Sequence, residues 1–274
     1  MHGAGNDFII VDNLSLALDK AALSALSAKL CSRRTGVGAD GLMAVIPAAD
    51  PTADYGMLFF NADGSEGEMC GNGARCIARY GHDAKLAGDT QRIETISGTV
   101  TGQRITPTLY RVRLNDPTLV ELHREVRALG RTYDCAYIEL GSPGLPHAVL
   151  VLDENEGRDE AHLRALGKAL RYAEEFPRGA NVTLITSLAP RALTAVTYER
   201  GVEDFTLACG TGCGASVAAL TLRGTLDGSG KADIKMPGGT LSVSLTPDFA
   251  AVTARDILLT GPTAVVFTGE TAEI

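Results

Sequence analysis

CGNGARCIARY at residues 70–80 and CGTGCGASVAALTL at residues 209–222 decide how this chain reads. Each begins with a cysteine, passes through a Gly-x-Gly turn and runs on in small and apolar residues, which predicts a helix opening at the glycines. The two cysteines are 139 positions apart. Working outward, NDFIIVD at 6–12 matches HAVLVLD at 147–153 at an offset of 141, and both read as buried strands. DKAALSALSAKL at 19–30 matches DEAHLRALGKAL at 159–170, with Leu23, Leu26 and Leu30 on Leu163, Leu166 and Leu170. These are amphipathic helices, capped by Asp19 and Asp159. Gly38-Ala39-Asp40 matches Gly179-Ala180-Asn181, and IETISGTV at 93–100 matches IKMPGGTL at 234–241.

Short helices and glycine turns resemble one another by chance, but not as five blocks in one order at a nearly constant offset. The chain therefore reads as an internal duplication: an α/β (α+β) protein of two pseudosymmetric domains of similar fold, with the active site expected in the interdomain cleft. The expected bounds are residues 1–113 and 114–261. The tail from 262 to 274 falls in a strand-like stretch, TGPTAVVFTGE at 260–270, and a return to the first domain is suggested by that β-rich composition alone.

Composition narrows the function. A chain of 274 residues, 45% hydrophobic and 21% charged, carries no disorder signature and suits two domains with a core each. Lys plus Arg number 25 against 33 Asp plus Glu, a formal charge of -8 with no basic stripe, which argues against a nucleic-acid partner. No apolar run approaches the ~20 residues of a membrane helix, and MHGAGNDFII lacks the features of a secretory signal, so no membrane association and a cytoplasmic location are expected. Six cysteines are too few for a disulfide scaffold in a chain of this length, which turns attention to cysteine chemistry.

A thiol just ahead of a helix sits by unpaired N–H groups and the positive end of the helix dipole, an arrangement that lowers its pKa and allows it to act as a base. The same N–H groups suit a carboxylate. Two such starts, related by a pseudo-twofold axis, can bring two thiols to opposite faces of one carbon, as stereoinversion requires: a thiolate removes the α-proton while the opposed thiol donates one. A single Cys-Gly-x-Gly reads equally well as a small buried cap residue; it is the pairing that favours chemistry. A metal site fails because none of the five His lies at ligand spacing from a cysteine pair. No Rossmann fingerprint follows a strand, and none of the six Lys sits in a pyridoxal-phosphate motif, so no cofactor is expected. A disulfide between Cys70 and Cys209 would be an oxidised, inactive form.

HGAGNDF at 2–8, NADGSEGEMCGNGARC at 61–76, PHAV at 146–149 and YERGVEDFTLACGTG at 198–212 resemble the signatures of diaminopimelate epimerase. The resemblance implies a cofactor-independent, two-domain, homodimeric enzyme of lysine and cell-wall biosynthesis that interconverts LL- and meso-diaminopimelate, a small amino-acid substrate. It makes Cys70 and Cys209 the acid/base pair. His147 and Glu199 match positions that poise the cysteines, Glu199 also contacting substrate. Asn6, Asn61, Asn181 and Arg200 match further substrate contacts, Arg200 suiting a second carboxylate through its bidentate fork. Backbone amides of Gly71, Asn72, Gly210 and Thr211 would hold the carboxylate at the reacting centre.

Plainer readings compete: a satisfied loop histidine at His147, a solvated strand-end glutamate at Glu199 and a surface arginine at Arg200. Leu145 and Gly41 stand where many family members carry Asn and Gln, which puts some polar contacts to substrate in doubt. The family also has strand residues ahead of the equivalent of His2, so the first strand is expected to be short or preceded by further chain. Cys31, Cys76, Cys135 and Cys213 read as structural. The rival within the fold is a racemase for another amino acid such as histidine; the proline racemase type has His at the position of Asn72. A phenazine-biosynthesis type of isomerase lacks both cysteines.

Overall fold

A computed structural model describes residues 1–67, 70–153, 156 and 159–272, so Glu68 and Met69 of the first cysteine motif lie outside the described residues. The chain divides into two compact units: Met1–Val112 with Gly261–Ile274, and Arg113–Thr260. The elements that begin in the first unit are β1 (His2–Gly3), β2 (Asn6–Asp12), α1 (Asn13–Leu16), α2 (Lys20–Leu30), β3 (Gly41–Ile46), β4 (Tyr55–Asn61), α3 (Gly71–Asp83), β5 (Thr90–Thr95), β6 (Gly98–Arg104) and β7 (Leu109–Arg113). The rest are β8 (Pro117–Ala128), β9 (Arg131–Leu140), β10 (Leu145–Val151), α4 (Glu160–Arg171), β11 (Asn181–Ala189), β12 (Ala192–Glu199), β13 (Asp204–Thr206), α5 (Gly210–Leu222), β14 (Lys231–Met236), β15 (Gly239–Asp248) and β16 (Thr253–Pro262).

The duplication is visible in the strand pairing. In the first unit β2 pairs parallel with β3, β3 antiparallel with β4, β4 parallel with β5, and β5 antiparallel with β6. In the second, β10 pairs parallel with β11, β11 antiparallel with β12, β12 parallel with β14, and β14 antiparallel with β15. The matched helices start alike: the Asp19 carboxylate accepts from the Ala22 amide and that of Asp159 from the Ala161 amide, each satisfying an otherwise unpaired N–H. Beyond β10 the second unit carries the long β8–β9 hairpin, where the first unit has the two-residue β1 paired antiparallel with β2.

Each unit has its own core. Helix α3 buries Cys76, Ile77 and Ala78 against Met43, Tyr55, Ile93 and Tyr110. Leu163, Leu166 and Leu170 of α4 pack on Val182, Leu184 and Tyr198, and truncating one such leucine typically costs about 2–5 kcal/mol. Helix α5 is apolar or small on nearly every face and buried almost throughout, as such a helix must be. No helix among the described residues is long and apolar enough to cross a membrane.

The end of the chain joins the first unit through a bridge between Ala264 and His2 and a bond from the Thr263 amide to the Thr108 carbonyl. Beyond that bridge the strand-like composition is not expressed as strand, and Val265, Val266 and Phe267 lie exposed. Their β-propensity finds no pairing edge, and propensity alone does not make a strand.

Candidate active site

Both cysteines sit at the N-caps of their helices in nearly the same backbone conformation, Cys70 at φ -108°, ψ 119° and Cys209 at φ -109°, ψ 104°. The Cys70 carbonyl accepts from the Ala74 amide at 2.8 Å and that of Cys209 from the Cys213 amide at 3.0 Å. Glycine is required one turn in: a Cβ at Gly73 would lie 1.9 Å from Met43 Cε, and one at Gly212 would lie 2.8 Å from Thr183 Oγ1. The Gly71, Asn72 and Gly210 residues at these starts are buried and Thr211 is half-buried.

The thiols differ. Cys70 is half-buried; Cys209 is 6% exposed, with Sγ accepting from the Gly212 amide at 3.4 Å and 3.6 Å from Thr211 Oγ1. Burial, followed by the charge of Glu199, pushes the Cys209 thiol well above its ordinary value, against the opposite pull of Thr211 and Gly212. The lowered pKa expected at a helix start therefore does not hold for Cys209, because desolvation of a buried thiolate outweighs the favourable amides. None of the six cysteines is in a disulfide, so the Cys70–Cys209 bridge is not formed.

Around Cys70 the first unit assembles Asn6 and Asn72, joined by a bond from Asn72 Nδ2 to Asn6 Oδ1 at 2.7 Å. Asn6 Nδ2 continues to Asp40 Oδ2 at 3.2 Å. Asn61, at the exposed end of β4, instead bonds Ser65 Oγ at 3.0 Å. Arg75, fully buried in the first turns of α3, donates to Asn72 Oδ1 and to the Gly71 carbonyl, a role the sequence reading passed over. Its signal was its place three residues after Asn72.

In the second unit His147 lies on β10 beside its register partner Asn181 on β11. It is not a satisfied loop histidine. The ring is wholly buried with neither nitrogen hydrogen-bonded among the described residues, and burial, then the charge of Arg200, pulls its pKa down to about 3. Asn181 is tied on both sides, donating to the Pro146 carbonyl at 3.2 Å and accepting from the Arg200 amide at 2.9 Å. The Arg200 side chain is exposed and donates to the Arg178 carbonyl at 3.3 Å. Glu199 ends β12 half-buried and accepts from Thr206 Oγ1 at 2.6 Å. Beneath α5 lies a buried polar pair that the sequence reading also missed, Thr183 and Thr197 sharing a hydrogen bond at 3.0 Å, while within the helix Ser216 donates to the Gly212 carbonyl at 2.7 Å.

The family model described as Diaminopimelate epimerase matches residues 1–109 and 141–264. A curated diaminopimelate epimerase from Desulfitobacterium hafniense is 36% identical, the match covering 98% of this chain and 95% of that protein. One from Aquifex aeolicus is 31% identical over 100% and 96% of the two chains. Among solved structures, a hydroxyproline epimerase from Agrobacterium vitis superposes with a TM-score of 0.67 at 18% identity, covering 95% of this chain and 87% of its own. A Bacillus anthracis phenazine biosynthesis protein of the PhzF family does so at 0.69 and 15%, covering 96% and 92%. At such identity these two speak for the fold alone. The family match along both units, and sequence identity above 30% over nearly the whole length, establish that the chain belongs to the diaminopimelate epimerase family of isomerases acting on amino acids.

Proposed function

We propose that the chain interconverts LL- and meso-diaminopimelate without a cofactor, with Cys70 and Cys209 addressing opposite faces of one α-carbon. The observation that carries this reading is the duplicated cysteine-capped helix start, in matching backbone conformation in both units. In one direction the Cys70 thiolate takes the α-proton and the Cys209 thiol delivers its own to the other face, leaving Cys70 protonated and Cys209 ionised; the reverse direction uses the pair the other way round. A Cys209 held protonated by burial is suited to the acid role in the first of these. Charge that builds on the substrate carboxylate is met by the amides of Gly71, Asn72, Gly210 and Thr211, where preorganised N–H donors are most effective.

In this reading His147 and Glu199 poise the thiols, and Asn6, Asn61, Asn181 and Arg200 hold the rest of the substrate. Arg200 carries the choice of substrate. Its exposed guanidinium retains donors for a distal carboxylate, which histidine, the substrate of the rival racemase reading, lacks. The reading places the protein in the cytoplasm as a homodimer supplying a precursor of lysine and peptidoglycan. To test it, the protein is incubated with LL-diaminopimelate and with a panel of free amino acids including histidine and proline, with chelator and without pyridoxal phosphate, and the products are resolved by chiral chromatography. Formation of meso-diaminopimelate, with the free amino acids left unchanged, is expected. Racemisation of histidine in preference to diaminopimelate would overturn the assignment.

A further inference from the structure

Arg75 heads the fully buried side chains of the described residues by volume, an unusual place for a guanidinium, which is seldom buried without partners. Its Nη1 donates to the Gly71 carbonyl at 3.2 Å and its Nη2 to Asn72 Oδ1 at 2.9 Å. A guanidinium has only donors, so the carboxamide oxygen of Asn72 has to face it and Nδ2 has to point away. That Nδ2 donates to Asn6 Oδ1 at 2.7 Å, which in turn directs Asn6 Nδ2 to Asp40 Oδ2 at 3.2 Å. Asp40 is an acceptor-only end. It is held by Arg33 at 2.7 Å through its other oxygen, while Arg33 also grips both oxygens of Asp7 at 2.9 and 2.8 Å. A cation at one end and an anion at the other thus impose one polarity on two carboxamides. Rotating either by a half turn would set a donor against the guanidinium or an oxygen against the carboxylate.

We infer that Arg75 and Asp40 are positioning residues that lock the orientation of Asn72 and Asn6, so that Asn6 meets a ligand with an N–H donor suited to a carboxylate oxygen and unsuited to an ammonium group. The consequence for catalysis rests on the proposed reading in which Asn6 contacts the substrate; the lock itself does not. Its most direct report is the side-chain amide protons of Asn6 and Asn72 in nuclear magnetic resonance spectra of the intact protein without substrate.

Asp40→Asn, at the exposed end of the relay, offers both a donor and an acceptor and no longer dictates polarity; Arg75→Lys loses the fork that spans Gly71 and Asn72. Each is expected to speed hydrogen exchange of these side-chain amides by about tenfold or more, the scale of losing a charged hydrogen bond, with backbone exchange in β3 unchanged. Unchanged side-chain exchange in the Asp40→Asn protein overturns the inference.

In turnover, Asp40→Asn is expected to raise KM for diaminopimelate about tenfold with kcat within about threefold. In an Asn6→Ala background it should change KM by less than about twofold, because the group it orients is gone. The same tenfold rise in that background also overturns the inference. A wild-type protein inactive on diaminopimelate sinks the proposed function alone, and the exchange measurement still decides the lock.

Discussion

The two helix starts share a backbone and differ in almost everything around it. At Cys70 the turn rests on Met43, whose Cε fills the space a side chain at Gly73 would need, and a buried guanidinium lies within the helix. At Cys209 the turn rests on the Thr183–Thr197 pair, the charge acting most strongly on the thiol is the carboxylate of Glu199, and His147 of the second unit is buried with no hydrogen bond among the described residues. Duplication preserved what backbone geometry demands: a non-helical cap, glycine where a Cβ would clash, and strands paired in the same order in each unit. The side chains diverged where charge is set. The proposed reaction takes a proton at one face and gives one at the other, and burial together with the carboxylate of Glu199, which raise the Cys209 thiol, suits that thiol to stay protonated at rest.

That comparison can be broken most severely at the thiols themselves. Cys70→Ala and Cys209→Ala should each lower turnover by roughly 100- to 10,000-fold, the range for loss of a general acid or base, with thermal unfolding nearly unchanged. In the unsubstituted protein, brief iodoacetamide treatment at neutral pH followed by peptide mass spectrometry should find Cys70 alkylated ahead of Cys209, which is buried and has a raised pKa. Arg200→Met should lower kcat/KM for diaminopimelate by roughly 10- to 150-fold, the equivalent of the about 1.5–3 kcal/mol usual for a hydrogen bond to a charged group. An undiminished value would favour the racemase reading.

His147 gives a pH signature peculiar to the second unit. Its pKa falls from 6.5 in the unfolded chain to about 3 when folded, so the unfolded state binds the extra proton between these values. The stability it contributes is complete above 6.5 and is lost as pH falls below that. Urea unfolding at pH 7 and pH 5 should therefore show His147→Leu losing about 2 kcal/mol less on acidification than the parent. Smallest is the polar pair. Thr197→Val leaves Thr183 without its partner and should cost about 1–2 kcal/mol, whereas adding Thr183→Val should cost less than a second such loss, since both polar groups are then removed together.

Much of the scaffold was legible because it follows from local rules. Matched apolar spacing gave α2 and α4, Asp19 and Asp159 marked their starts, and the Gly-x-Gly turns marked α3 and α5. The β8–β9 hairpin was not legible from the repeat, because the strand in the place of β9 in the first unit is the two-residue β1. The tail misled because strand propensity in TAVVF was read without the pairing edge that would use it.

In the site, residue types were readable but their states were not. Cys209 was expected to be acidified by its helix, and only the packing of a whole unit over it reverses that. His147 was weighed against a satisfied loop histidine, and the absence of partners for its ring depends on residues distant in sequence. Asp40 was noted as the counterpart of Asn181; its bond to Asn6 needed the β2–β3 pairing to bring residues 34 apart in sequence together.

The central claim is that two different groups handle the proton on the two faces of the α-carbon. Its most direct test follows deuterium in heavy water at low conversion, starting from LL-diaminopimelate and then from the meso form. With two bases, the proton removed remains on one thiol while a solvent-derived deuteron arrives from the other. The account predicts early product carrying deuterium at the inverted carbon, with the remaining substrate unlabelled in both directions. Product that retains the original hydrogen, or substrate and product labelled equally from the outset, would point to a single base and contradict it.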